Sequence, residues 1–229
     1  MKISVLTPTI RSEGLVYVKD GLDKQTMSGE FEWLVEVNYS NKPDLNRAYN
    51  KMLKRAKGEL IVFLQDYITI QPNGLEQFWL SYQEGGKKHQ SPFTTSPVGK
   101  VKRKEHISGS TWTLADPEWD WRGSRYGEIE WNEWEIDWGA APKWALFEIG
   151  GFDEELDHPR WGFDNVNVGL RASLAGYKFY NLQDNKATGL DHDEMMAHPF
   201  RSMRDPDFHN ERLEEFRRGL QIDYLSTKK

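Results

Sequence analysis

The sequence predicts an α/β fold, a central and mostly parallel sheet flanked by helices, as a single domain over residues 1–229. Three observations predict it. Leu60 to Leu64 (LIVFL) is a short apolar run rich in branched side chains, as in a strand buried on both faces of a sheet. The run stops at Gln65-Asp66-Tyr67, so a carboxylate sits just beyond the strand's carboxyl end, where open α/β sheets bind ligands. Strand-like and helix-like patterns also alternate across the first hundred residues, which favours a parallel, Rossmann-like sheet.

Taken in order, Ile3 to Leu6 is a β-branched strand. Thr7-Pro8-Thr9 follows it, and proline is expected to take the backbone out of the sheet there. Leu15 to Lys24 suits a helix, with Leu15, Val18 and Leu22 on one face. Phe31 to Val37 reads as a second strand ending at Asn38. Asp44 can cap a helix from Leu45 to Ala56, whose apolar face is Leu45, Ala48, Met52 and Leu53. After the 60–64 strand, Ile68 to Ile70 stays extended, Pro72-Asn73-Gly74 turns, and Leu75 to Tyr82 forms a helix. Residues 1–100 thus read as a nucleotide-binding half.

Periodicity is lost from about 85 to 125, which predicts a mobile or functional loop. Order resumes at Glu135 to Ala141. A short helix follows from Pro142 to Ile149, stopped by Gly150-Gly151. Asp164 to Ala175 forms a further helix with Gly176 at its carboxyl end, Tyr177 to Asn181 a strand, and residues 207–229 a charged helix and tail.

Composition narrows the function classes. Hydrophobic residues are 38% and charged residues 29%, and no apolar run approaches the length of a membrane span. Cysteine is absent, which excludes a disulfide framework and a thiol nucleophile. The first residues enter a strand pattern directly, and a cytoplasmic location is the simplest expectation. The net charge of −6 weighs against nucleic acid as a partner, although Lys100 to His106 is basic.

Three segments give the chain a resemblance to the family 2 glycosyltransferases and related enzymes of the GT-A fold. SVLTPTIR resembles the family's opening strand. LNRAYNKMLKRAKGELIVFLQDYITIQPNGL resembles its Asn-bearing helix, AKGE turn and strand ending in an acidic metal motif. GAAPKWALFEIGGFDEELDHPRWGFDNVNVGLRASLAGYKF is similar to the GGFDE … WGxEDxDxxxR region of polymerising and galactosyl-type members. The sequence departs from the pattern where DxD reads Gln65-Asp66-Tyr67, where Glu-Asp reads Asp164-Asn165, and where a following Asp is Asn167.

The resemblance implies a transferase that moves a sugar from a nucleotide-sugar donor, a UDP-sugar foremost, to a saccharide or other hydroxyl acceptor, with inversion. It implies Mn or Mg as cofactor, held by Asp66 and His192, to neutralise the diphosphate leaving group. Thr7, Pro8, Thr9, Arg11, Asn38, Asn46, Asn50, Gln65, Asp66 and Tyr67 would line the donor. Asp164 would be the general base, and Trp138, Trp161, Gly162 and Asn165 would meet the acceptor. Residues 101–206 are then the acceptor-binding and catalytic half. The tryptophan-rich acidic stretch from Trp112 to Trp138 suits sugar stacking. Two other readings stay open. The missing acids at 65, 67, 165 and 167 would fit a binding module without catalysis. A nucleotidyltransferase would need a Gly-rich phosphate loop after the first strand, which Leu6 to Gly14 does not supply.

Overall fold

The computed structural model describes residues 1–10, 12–38, 44–85, 92–101, 118–157, 162–190 and 206–219. Among the described residues, eleven strands form two sheets. The larger has the order β2 (Phe31–Val37), β1 (Ile3–Thr9), β3 (Leu60–Leu64), β9 (Trp138–Pro142), β5 (Phe93–Thr95), β10 (Phe179–Asn181), β8 (Gly127–Ile129). β2, β1 and β3 are parallel, as are β5 and β10, while β9 and β8 run against their neighbours. The smaller sheet has the order β4 (Ile68–Ile70), β11 (Ala187–Leu190), β6 (Val98–Val101), β7 (Glu118–Trp119).

β3 organises the core because its side chains alternate between two apolar clusters. Ile61 and Phe63 join Leu6, Met52, Phe93, Trp134 and Phe152 on one face. Leu60, Val62 and Leu64 join Val5, Val18, Leu75 and Trp138 on the other. Helices cover both faces. α2 (Leu45–Arg55) and α5 (Asp164–Leu174) contribute to the first cluster, and α1 (Leu15–Asp23) and α3 (Gly74–Glu84) to the second. α4 (Lys143–Glu148) follows β9, and α6 (Pro206–Arg217) packs on α5.

The AKGE turn is explained by close approach. A Cβ on Gly58 would collide with the backbone of Ile3 and Ser4. Gly58 N–H instead donates to Ser4 Oγ at 2.8 Å, while Glu32 Oε1 accepts from Ser4 Oγ (2.6 Å) and from Lys57 N–H (2.5 Å). The turn thereby locks the start of β3 to β1 and β2.

Two expectations need correction. β1 does not leave the sheet at Thr7; it pairs with β2 through Thr9, with Pro8 opposite Glu36. Its pairing with β3 ends at Leu6, so Pro8 has a strand on one side only, where a missing donor is tolerated. The stretch from 85 to 125 is also not structureless throughout: β5, β6, β7 and a 3-10 turn (Trp121–Ser124) fall within it. β5 is a central strand of only three residues, and its Thr94 and Thr95 are buried with their hydroxyls on the carbonyls of Ala140 and Glu135. Such a short polar run carries no readable period. The remainder of that stretch, 86–91 and 102–117, lies outside the described residues.

Candidate active site

The carboxyl ends of β1, β3 and β5 meet the amino end of antiparallel β9 at one edge of the larger sheet. Thr9 ends β1 and Asp66 follows β3, and Thr9 Oγ1 donates to Asp66 Oδ2 at 2.5 Å. Both residues are buried. The backbone of Asp66 is pressed by the turn Ser12–Gly14, because a Cβ on Gly14 would collide with the Asp66 carbonyl. Gln65 N–H donates to Asp137 O at 3.2 Å, and Gln65 Nε2 to the Tyr49 hydroxyl at 3.0 Å.

Asp137, just before β9, is clamped by Arg122, whose Nη1 and Nη2 reach its two oxygens at 2.7 and 2.8 Å. The same guanidinium holds Asp120 and Thr95 Oγ1. Burial opposes the charge of both partners. Asp137 nevertheless holds its carboxyl below the usual range, because Arg122 and the Trp138 N–H stabilise the anion. Asp137 and Asp120 in turn hold Arg122 firmly protonated. Glu135, two residues before Asp137, behaves differently: burial, then repulsion from Asp137, pushes its carboxyl up to about 7, against the pull of Arg122.

Asp164 is the first residue of α5 and is buried. Its charge is favoured at a helix amino end. The backbone reaches it through Gly162 (φ +105°) and Phe163 (φ +65°), the only non-glycine with positive φ among the described residues. That conformation costs about 1–2 kcal/mol for a side chain of this kind. Asn165 Nδ2 donates to Trp134 O (2.8 Å) and Glu135 Oε2 (3.1 Å), so α5 is tied to the β9 approach. Burial raises the Tyr49 hydroxyl well above its ordinary value, and Asp164, Tyr67, Asp137 and Asp66 add to the rise. The Asn165 bonds thus bring the start of α5, with Asp164, to the approach of β9, where they engage Glu135, two residues before Asp137.

The other residues named from sequence divide into three groups. Asn38 N–H donates to Thr9 O at 2.8 Å at the same edge, and Tyr67 adjoins it, its hydroxyl raised by burial and then by Asp137 and Asp66. Several more are taken up in packing. Thr7 Oγ1 accepts from the Trp33 indole (3.0 Å). Asn46 Nδ2 donates to Asp157 (3.0 Å), and Asn50 exchanges hydrogen bonds with the backbone of Phe152 and with Glu154. Trp138 is fully buried, with its indole on Asn185 O and its ring on Phe78. The amides join α2 to residues 151–157, and the ring fills the core. Arg11, Trp161 and His192 lie outside the described residues.

Among the described residues no group of three His, Cys, Asp or Glu side chains is placed to hold a metal. Asp66 is the single expected ligand described, and one of its oxygens accepts from Thr9. Arg122, Glu135 and Asp137 escaped the sequence reading. The last two stood inside the flagged acidic stretch, while Arg122 carries no motif signal and is recognisable only by its burial.

This sheet, with its acids at the strands' carboxyl edge, is a GT-A glycosyltransferase fold. It is similar to S. aureus TarS 1–349 in complex with UDP, at TM-score 0.59 and 19% identity over 85% of this chain and 62% of that one. It is similar also to TarS 1–349 in complex with UDP-GlcNAc (TM-score 0.58, 16% identity, 84% and 59% covered). GalNAc-T7 with UDP, GalNAc and Mn2+ matches at TM-score 0.53 and 12% identity, with 83% and 44% covered. The chain spans only 37% of the longer TarS chain. No protein-family model and no curated protein matches the sequence.

Proposed function

We propose that the protein is a glycosyltransferase that moves a sugar from a nucleotide-sugar donor, a UDP-sugar foremost, to an acceptor hydroxyl. The observation that carries this reading is that the segments bearing Asp66 and Asp164 are both hydrogen-bonded to the approach to β9, at one edge of a GT-A sheet, and that each acid follows a constrained turn or lies against one. The UDP and UDP-GlcNAc in the complexes of similar structures support the choice of donor. In the reaction, the acceptor oxygen attacks the anomeric carbon as the bond from that carbon to the diphosphate oxygen breaks. The nucleoside diphosphate leaves, the configuration inverts, and the acceptor proton passes to the Asp164 carboxylate.

The β1 end, with Thr9 and Asn38, borders the donor, and Asp66 lies under its diphosphate. A divalent cation held by Asp66 and His192 would neutralise the leaving group electrostatically. Asp137 stays charged but is matched by Arg122, so the edge is less acidic than its carboxylates suggest. Asn165 and Gly162 border the acceptor.

Thermal shift against nucleoside diphosphates and UDP-sugars, with and without Mn, tests the donor site. A ligand at 100 times its dissociation constant adds about 2.7 kcal/mol. A shift with UDP that is lost in Asp66→Ala supports the reading. No shift with any nucleotide, alongside retention on a glycan array, would favour a binding module without catalysis.

A further inference from the structure

The turn that delivers Asp164 is held from outside the sheet, by the C-terminal helix. The Phe163 ring lies flat on His209 of α6, with centroids 4.2 Å and planes 13° apart. His209 is 5% exposed, and its Nδ1 is buried with no partner among the described residues. Burial pulls its pKa down to about 4, so near neutral pH the ring is an uncharged plate. What His209 offers Phe163 is its flat face.

α6 is itself anchored on both sides of this turn. Arg212 pairs with Asp153, whose side chain is fully buried, at 2.8 and 3.0 Å. Asp153 Oδ1 also accepts from Glu155 N–H (3.0 Å), and so heads the 3-10 turn (Glu154–Leu156) that leads toward residue 162. Farther along, Phe216 lies against the guanidinium groups of both Arg171 and Arg212, at 5.1 and 5.4 Å. Leu213 and Phe216 pack on Leu170 of α5. Arg171 in turn reaches back to Ile149 O (2.5 Å) and Asn167 Oδ1 (3.0 Å). The helix therefore grips α5, the segment before the turn, and the strained residue between them.

We propose that α6 is a strut for this turn, and that His209 is a positioning residue which holds Phe163 in its left-handed conformation and so sets the Asp164 carboxylate over the site. The effect on turnover rests on reading Asp164 as the base; the effect on the turn does not.

The test compares His209→Ala with His209→Phe in the full chain, by hydrogen exchange and by UDP release from a UDP-sugar. His209→Ala should speed exchange at residues 163–168, the Asn167 amide bonded to Phe163 O among them, at least tenfold. It should also lower kcat at least tenfold while changing the donor KM less than twofold. His209→Phe, which restores a flat ring, should recover both. If His209→Ala does not fold, His209→Leu keeps apolar volume without the flat face and serves in its place. Unchanged exchange at 163–168, an equal rise in exchange throughout the sheet, or no rescue by His209→Phe would each overturn the strut. If the wild type releases no UDP from any UDP-sugar, the base assignment fails, and the exchange result alone decides the strut.

Discussion

Asp164, the base in the proposed reaction, opens α5, and the backbone before it sets where its carboxylate stands. Gly162 and Phe163 both adopt positive φ, so the backbone itself carries the carboxylate inward. Asp164→Asn should lower sugar-transfer kcat by about 10²–10⁴-fold, as expected for loss of a general base. Its melting temperature should fall only slightly, since the variant loses one charge at a helix amino end, worth about 0.3–1 kcal/mol. Glu135 gives a pH prediction. Its folded pKa of about 7 lies above the ordinary 4.5, so the folded protein keeps a proton that the unfolded chain loses. Stability therefore falls as pH rises between those values. Glu135→Gln keeps an acceptor for Asn165 and should be more stable than wild type above pH 7, by about 1–3 kcal/mol, with the gap closing near pH 4.5. Urea denaturation at pH 4.5 and pH 8 measures it.

At the scale of elements, much was legible. β2, β3, α1, α2 and α5 stand within a residue or two of their sequence-based bounds, because each shows a clean period and a cap or turn signal. β5 was not legible, because its three residues owe their burial to the strands beside them. The packing partners of Asn46 and Asn50 were hidden for a related reason. Facing asparagines one turn apart look like ligands, but their partners stand more than a hundred residues away. Asp157 is the clearest case. It accepts from the N–H groups of Asn46 (2.8 Å) and Arg47 (2.9 Å) and so caps α2 from a distance, while burial pushes its carboxyl up to about 7. Asp157→Ala should cost about 2 kcal/mol or more, because the cap is lost and buried donors are left unpaired. Gly58→Ala should cost about 1–3 kcal/mol, since its Cβ meets the β1 backbone. Chemical denaturation reads both.

For the whole molecule, the candidate site lies at the carboxyl edge of the parallel strands, and the chain crosses that edge from distant segments: β1, β3, the approach to β9, and α5. No short motif spans such an assembly: Asp66 and Asp164 were named from segment resemblance, whereas the Arg122–Asp137 clamp left no signal in any one segment. The clamp also bears on the net charge of −6, because part of the acidity at this edge is matched internally. Sugar transfer is measured most directly as UDP release from a panel of UDP-sugars, with Mn and a mixed set of saccharide acceptors, by the wild type and by Asp164→Asn. The wild type should release UDP in an acceptor-dependent way, and Asp164→Asn should lose that release while keeping the UDP thermal shift. Equal release by both proteins would contradict the proposed reaction.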